Sequence, residues 1–144
     1  MLSNKAAASL FGKMTAKPIG LQLFTFFNEI DNDVNGTLKK IAAVGYKEIE
    51  SAFSKKGGYY GMKPKEFAAL LKDMGMSWKS HHVSGAPFKM PPGAKMPTGA
   101  DGKPIVIPPM RNLRDNMQAL VDETADGGVE YLVCASTPSI HWMI

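Results

Sequence analysis

The chain has 144 residues, 44% of them hydrophobic, and a formal net charge of +4, enough for one domain with a core of its own. Its lysines are scattered rather than gathered into a basic run with interleaved aromatics, which argues against nucleic acid as a partner, and no apolar run is long enough to span a membrane. The single cysteine, Cys134, excludes an internal disulfide.

Residues 1–17, MLSNKAAASLFGKMTAK, read either as the remnant of a secretory signal without its basic start or as a loosely docked N-terminal arm. Localisation therefore stays open between cytoplasm and periplasm. Residues 18–144 read as one domain. Ile19 to Phe27 is apolar and aromatic apart from Gln22, the pattern of a strand covered on both faces in a parallel sheet. The turn TFFNEIDND is acidic and bulky. A helix follows, with Leu38, Ile41 and Ala42 on one face and Lys39 and Lys40 opposite, and it stops at Gly45. Tyr46 to Ser51 is the second strand. A polar residue inside a buried strand needs a reason, which singles out Gln22 and Glu50.

Phe53 to Met62 is a loop rich in glycine, lysine and tyrosine, and Pro64 suits a first helical position. Phe67, Leu70, Leu71 and Met74 recur at helical spacing up to Gly75. Met76 to Ser84, MSWKSHHVS, is a third strand with two histidines. Residues 86–110 are rich in proline, glycine, lysine and methionine, and read equally as a lid or binding loop and as a surface insertion. Ile105 to Ile107 could add a short strand there. Asn112 and Asp115 resemble a capping box, followed by the stripe Leu113, Met117, Leu120 and Val121. Gly127 and Gly128 end that helix, and Val129 to Ala135 is the fourth strand.

This order of four strands and three helices gives parallel neighbours through right-handed crossovers. It fits an open doubly wound sheet or a piece of an eight-stranded barrel. Length favours the open sheet, because a complete barrel needs about 250 residues. The turn after the first strand favours the barrel, since it lacks the glycine-rich loop that holds phosphate in dinucleotide folds.

Five segments, GLQLFT (20–25), GTLKKIAAVGYKEIE (36–50), KEFAALLKDMGM (65–76), SHHVS (80–84) and VEYLVCAS (129–136), together resemble the sugar phosphate isomerase/epimerase family of xylose isomerase-like TIM barrels. The resemblance runs from Pro18 to Ser136. It implies an α/β fold made of the first four parallel (β/α) units of a TIM barrel, a half-barrel with the long loop 86–110. It also implies a divalent metal (Mn, Mg, Zn or Co) for the complete fold, bound mainly by residues of later strands. No metal ligand is assigned within this chain, which could hold none.

Barrel active sites gather at the carboxyl ends of strands. The resemblance matches Glu50 to the family's strand-two glutamate and His82 to the histidine of its strand-three motif, both expected to be catalytic. Glu50 would act as acid–base group or bind a hydroxyl, and otherwise pairs with a lysine. His82 would polarise a carbonyl, and otherwise is a packed histidine. Gln22 and Phe24 share strand parity and are expected to face the interior, where they bind substrate. His81 has the opposite parity and is expected to be structural. Cys134 reads as a small core residue, and His141 and Trp142 receive no role.

The resemblance thus implies metal-assisted isomerisation or epimerisation of a sugar or related polyol. One alternative is a non-catalytic half-barrel whose open edges make it a homo-oligomer. Another is a small-molecule binding module covered by residues 86–110.

Overall fold

Four parallel strands, β1 (Gly20–Gln22), β2 (Glu48–Ser51), β3 (Ser77–Ser84) and β4 (Tyr131–Ser136), lie side by side in chain order. They belong to a computed structural model that describes residues 17–87, 89, 93–95, 98, 102 and 110–136. Four helices, α1 (Phe27–Asn32), α2 (Val34–Val44), α3 (Pro64–Asp73) and α4 (Leu113–Asp126), connect the strands. Each expected strand is present, and one helix is additional. The N-terminal arm, most of the 86–110 loop with Ile105 to Ile107, and His141 and Trp142 lie outside the described residues.

The core forms between the helices and one face of the sheet. Leu38 and Ile41 of α2, and Phe67 and Leu71 of α3, pack with Ile49 of β2 and Trp78 of β3, all nearly inaccessible to solvent. Trp78 stands edge-on to Phe67 and to Tyr59, with ring centroids 4.9 and 4.6 Å apart, an arrangement aromatic quadrupoles favour. Because strand residues alternate faces, Glu48 and Glu50 point away from this layer while Ile49 and Ser51 point into it. Gly45 ends α2 with φ 113°, a left-handed geometry that glycine adopts without a Cβ clash.

The first strand is shorter than its apolar run. It ends at Gln22, and Leu23 to Phe26 form a 3-10 turn that carries Leu23 into the core. The acidic turn then contains α1. Asp31 of that helix is buried and accepts hydrogen bonds from the Ser54 hydroxyl (2.5 Å) and the Lys55 amide (2.8 Å). Asp33 caps α2 by accepting from the Gly36 amide at 2.9 Å. These polar residues anchor elements rather than line a turn.

Half of the expected capping box of α4 forms: the Asn112 side chain accepts from the Asp115 amide and donates to its carboxylate, both at 3.1 Å, whereas the Asn112 amide donates to Asn116 Oδ1 rather than to Asp115. The apolar stripe of α4 does not hold. Leu120 is buried, but Met117 and Val121 are exposed: the inward line of the helix runs through Leu120 and Thr124, and non-helical backbone at Asn116 (φ −132°, ψ 20°) separates Leu113 from that phase. Cys134 is exposed rather than in the core. It stands on β4, an outer strand of the sheet among the described residues.

Candidate functional site

The sheet face turned away from the helices collects the polar residues of three adjacent strands. Register pairs Gln22 with Glu50 across β1 and β2. Between β2 and β3 the register slips: Ile49 pairs with Trp78, but Glu50 pairs with Ser80. This bulge gives β3 one extra residue, Lys79, and puts a hydroxyl rather than an ammonium beside Glu50. Lys79 instead meets Glu130 of the segment before β4 at 2.5 Å.

The four side chains interlock. The Gln22 amide nitrogen donates to Glu50 Oε1 at 2.5 Å and lies 2.8 Å from His82 Nδ1. The Ser80 hydroxyl donates to Glu50 Oε2 at 2.6 Å. His82 Nδ1 and Glu50 Oε1 are 3.8 Å apart, with side chains 29% and 21% exposed. The carboxylate therefore has one donor on each oxygen, and the Glu50 and His82 side chains remain partly exposed. An open groove of about 240 Å³ continues along this face past Gly20, Glu48 and Lys79. Gln22 sits at the carboxyl end of β1, Glu50 and His82 lie in the carboxyl-terminal halves of β2 and β3, and Ser80 lies mid-strand in β3.

The structure thus brings together Gln22, Glu50 and His82. Sequence reasoning gave Ser80 no role, although it opens the SHHVS segment and precedes His82 by two positions on the same strand. Phe24 sits differently from the expectation. Its interior position rested on strand parity with Gln22, and the strand ends before Phe24 is reached. The ring is 53% exposed on the 3-10 turn, at 5.5 Å from the Phe27 ring, which in turn stacks on Phe53 at 5.7 Å.

His81 faces the helices, opposite to His82 as expected, and shares that face with Trp78 three positions earlier because the bulge at Lys79 shifts the alternation by one residue. It is buried, its Nδ1 lies 2.8 Å from the Ser51 hydroxyl, and its ring stands edge-on to Tyr59. Trp78 Nε1–H donates to the same Ser51 oxygen at 2.8 Å. Loss of hydration in this layer pushes the His81 imidazole down to about 4, with Arg111 and His82 adding to the effect.

The described residues do not by themselves fit a divalent metal. Glu50 and His82 are two donors, both engaged by Gln22, and no group of three His, Cys, Asp or Glu side chains placed to hold an ion occurs among the described residues. No described helix is long and apolar enough to cross a membrane.

No family model and no curated protein matches the chain. Among solved structures the chain is similar to a sugar phosphate isomerase/epimerase from Parabacteroides distasonis ATCC 8503, with a TM-score of 0.54 and 22% identity. The match covers 90% of this chain and 42% of that one. A likeness at this identity is one of fold, and it agrees with the four-stranded parallel sheet: the chain has the α/β fold of a partial TIM barrel, similar to a member of the family that the sequence segments resemble.

Proposed function

We propose that the face carrying Gln22, Glu50, Ser80 and His82 binds a sugar or related polyol and isomerises or epimerises it beside its carbonyl group. One observation carries the reading: a carboxylate and an imidazole from neighbouring parallel strands meet at 3.8 Å, on the face that a barrel encloses and towards the strands' carboxyl ends. In this reading Glu50 takes the proton from the carbon next to the carbonyl. The C–H electron pair moves into a carbon–carbon double bond, and the carbonyl oxygen gains the charge of an enediolate. His82 donates a hydrogen bond to that oxygen. Return of the proton from Glu50 to the former carbonyl carbon, with the proton of the neighbouring hydroxyl passing to the enediolate oxygen, yields the isomer. Delivery by another acid to the opposite face of the first carbon yields the epimer and leaves Glu50 protonated and that acid deprotonated, a proton that solvent must return. The Gln22 carbonyl oxygen is left to accept from a substrate hydroxyl, and Phe24 offers an exposed apolar ring.

A divalent ion, as the resemblance implies, needs ligands beyond Glu50 and His82, so the assay compares protein with and without added Mn, Mg, Zn or Co. Incubation with a panel of aldoses and ketoses in D₂O, followed by NMR, detects deuterium entering the carbon beside the carbonyl. Exchange by the native protein, reduced on the order of 10²–10⁴-fold in Glu50→Gln, is the expected result. No exchange with any sugar under any ion condition would remove the proposal.

A second reading concerns assembly. Among the described residues no strand pairs with the outer edge of β1 or of β4, and Tyr131 on β4 is 59% exposed. Open edges invite pairing with other chains. A non-catalytic half-barrel that forms homo-oligomers would show a native mass above one chain and no deuterium exchange.

A further inference from the structure

The geometry points to Gln22 as a positioning residue that selects the tautomer of His82. An amide nitrogen is a donor only, with two hydrogens. Gln22 Nε2 spends one on Glu50 Oε1 at 2.5 Å, and the second is aimed at His82 Nδ1 at 2.8 Å. His82 Nδ1 must then be the acceptor. The neutral ring carries its proton on Nε2, which turns the donor edge of His82 away from Glu50. The alternative tautomer would set an N–H against the Gln22 N–H, and it would have to reach Glu50 Oε1 across 3.8 Å. Gln22 therefore divides the labour of its neighbours: Glu50, with Ser80 on its other oxygen, remains an acceptor, and His82 becomes a donor.

The catalytic meaning of this arrangement rests on the proposed isomerase reading; the tautomer itself does not. Carbonyl polarisation needs a donor at Nε2, whereas the other tautomer would present a lone pair to the carbonyl oxygen. Gln22 acts through His82 and Glu50, and its side chain is fixed where β1 ends.

Long-range proton–nitrogen NMR on ¹⁵N-histidine-labelled full chain, at about pH 8 where ordinary histidine is neutral, tests the assignment. Substitution of each histidine in turn assigns the signals. The native protein should show His82 with bare Nδ1 and protonated Nε2. Gln22→Glu places an acceptor where the donor was, so His82 Nδ1 should gain the proton. Gln22→Leu removes the donor, and the His82 signals should move towards a tautomer mixture. His81, on the other face of the sheet, serves as a fold control, and its signals should not move in either variant. A native His82 protonated on Nδ1, or a His82 tautomer unchanged in both variants with His81 intact, would overturn the inference. If Gln22→Leu fails to fold, the native and Gln22→Glu spectra still decide. In the deuterium assay Gln22→Leu should lower turnover on the order of 10²-fold, a larger effect than the rise in KM from loss of the Gln22 carbonyl contact. Native protein that exchanges no sugar would defeat the functional reading while leaving the tautomer result standing.

Discussion

His81 and His82 are consecutive on β3 and face opposite sides of the sheet: one is sealed beneath helices with Ser51 and Tyr59, the other is open beside Glu50 and Gln22. Alternation puts the two on opposite faces, and the bulge at Lys79 decides which face each takes. The same division separates Glu50 from Ser51 on β2, so the polar face and the packed face are built from adjacent residues of the same two strands.

His81 sets a pH dependence of stability. Its imidazole titrates near 6.5 in the unfolded chain and is pushed down to about 4 in the fold, chiefly by lost hydration. Between these values the unfolded chain binds more protons, so stability rises with pH there. The stability is complete above about pH 6.5 and is lost as pH falls through 4, by about 3 kcal/mol in all. Urea denaturation across this range should show the slope, and His81→Gln should flatten it. An unchanged slope in the variant would assign the effect to another group.

Ser80→Ala removes the donor on Glu50 Oε2 but leaves the Gln22 contact in place. Glu50 is partly exposed, so water can replace the hydroxyl, and the expected loss is about 1 kcal/mol. Turnover in the deuterium assay should fall, though less than in Glu50→Gln. Equal losses in the two variants would mean that Ser80 itself contacts the substrate.

Gly127→Ala and Gly45→Ala separate crowding from backbone strain. At Gly127 the backbone is ordinary (φ −80°), but a Cβ would lie 2.5 Å from a ring carbon of Trp78. That ring is held by hydrogen bonds from its Nε1 to Ser51 and to the Ser80 carbonyl. The cost should be about 1–3 kcal/mol, with a shifted tryptophan emission. At Gly45 a Cβ meets nothing within 4 Å, and the cost is the left-handed backbone, about 1–2 kcal/mol, with emission unchanged. A Gly127→Ala protein as stable as the parent would show that Trp78 can give way.

Asp31→Ala strips the partner from the buried Ser54 hydroxyl and from the partly buried Lys55 amide. An unsatisfied buried donor costs about 1–3 kcal/mol, so loss of the Ser54 partner should lower the thermal unfolding temperature clearly. Because Asp31 lies on α1 and Ser54 beyond β2, the loop after β2 should also become sensitive to protease. A resistant loop would show that its aromatic contacts suffice.

Periodicity alone made much of this chain legible. Four strands, the helices ending near Gly45 and Gly75, Pro64 at a helix start and the Asn112 cap follow from local chemistry: propensity, parity and capping act within a few residues. Gln22 and Glu50 stood out because a polar group in an apolar strand is costly without a partner, and the opposed faces of His81 and His82 follow from the period of two. What required the folded chain was everything set by contacts between distant segments. The apolar run from Ile19 to Phe27 could not show that Leu23 turns into the core and carries Phe24 out of strand register. On α4 the inward line runs through Leu120 and Thr124 and leaves Met117 and Val121 exposed, although the spacing of the stripe was sound. The bulge that sets Ser80 rather than Lys79 beside Glu50 depends on how two strands register against each other, and the contact of one amide nitrogen with both Glu50 and His82 exists only once three strands lie side by side. Local sequence determines which element forms and which way its residues alternate; distances across the sheet are decided by packing, which no single stretch contains.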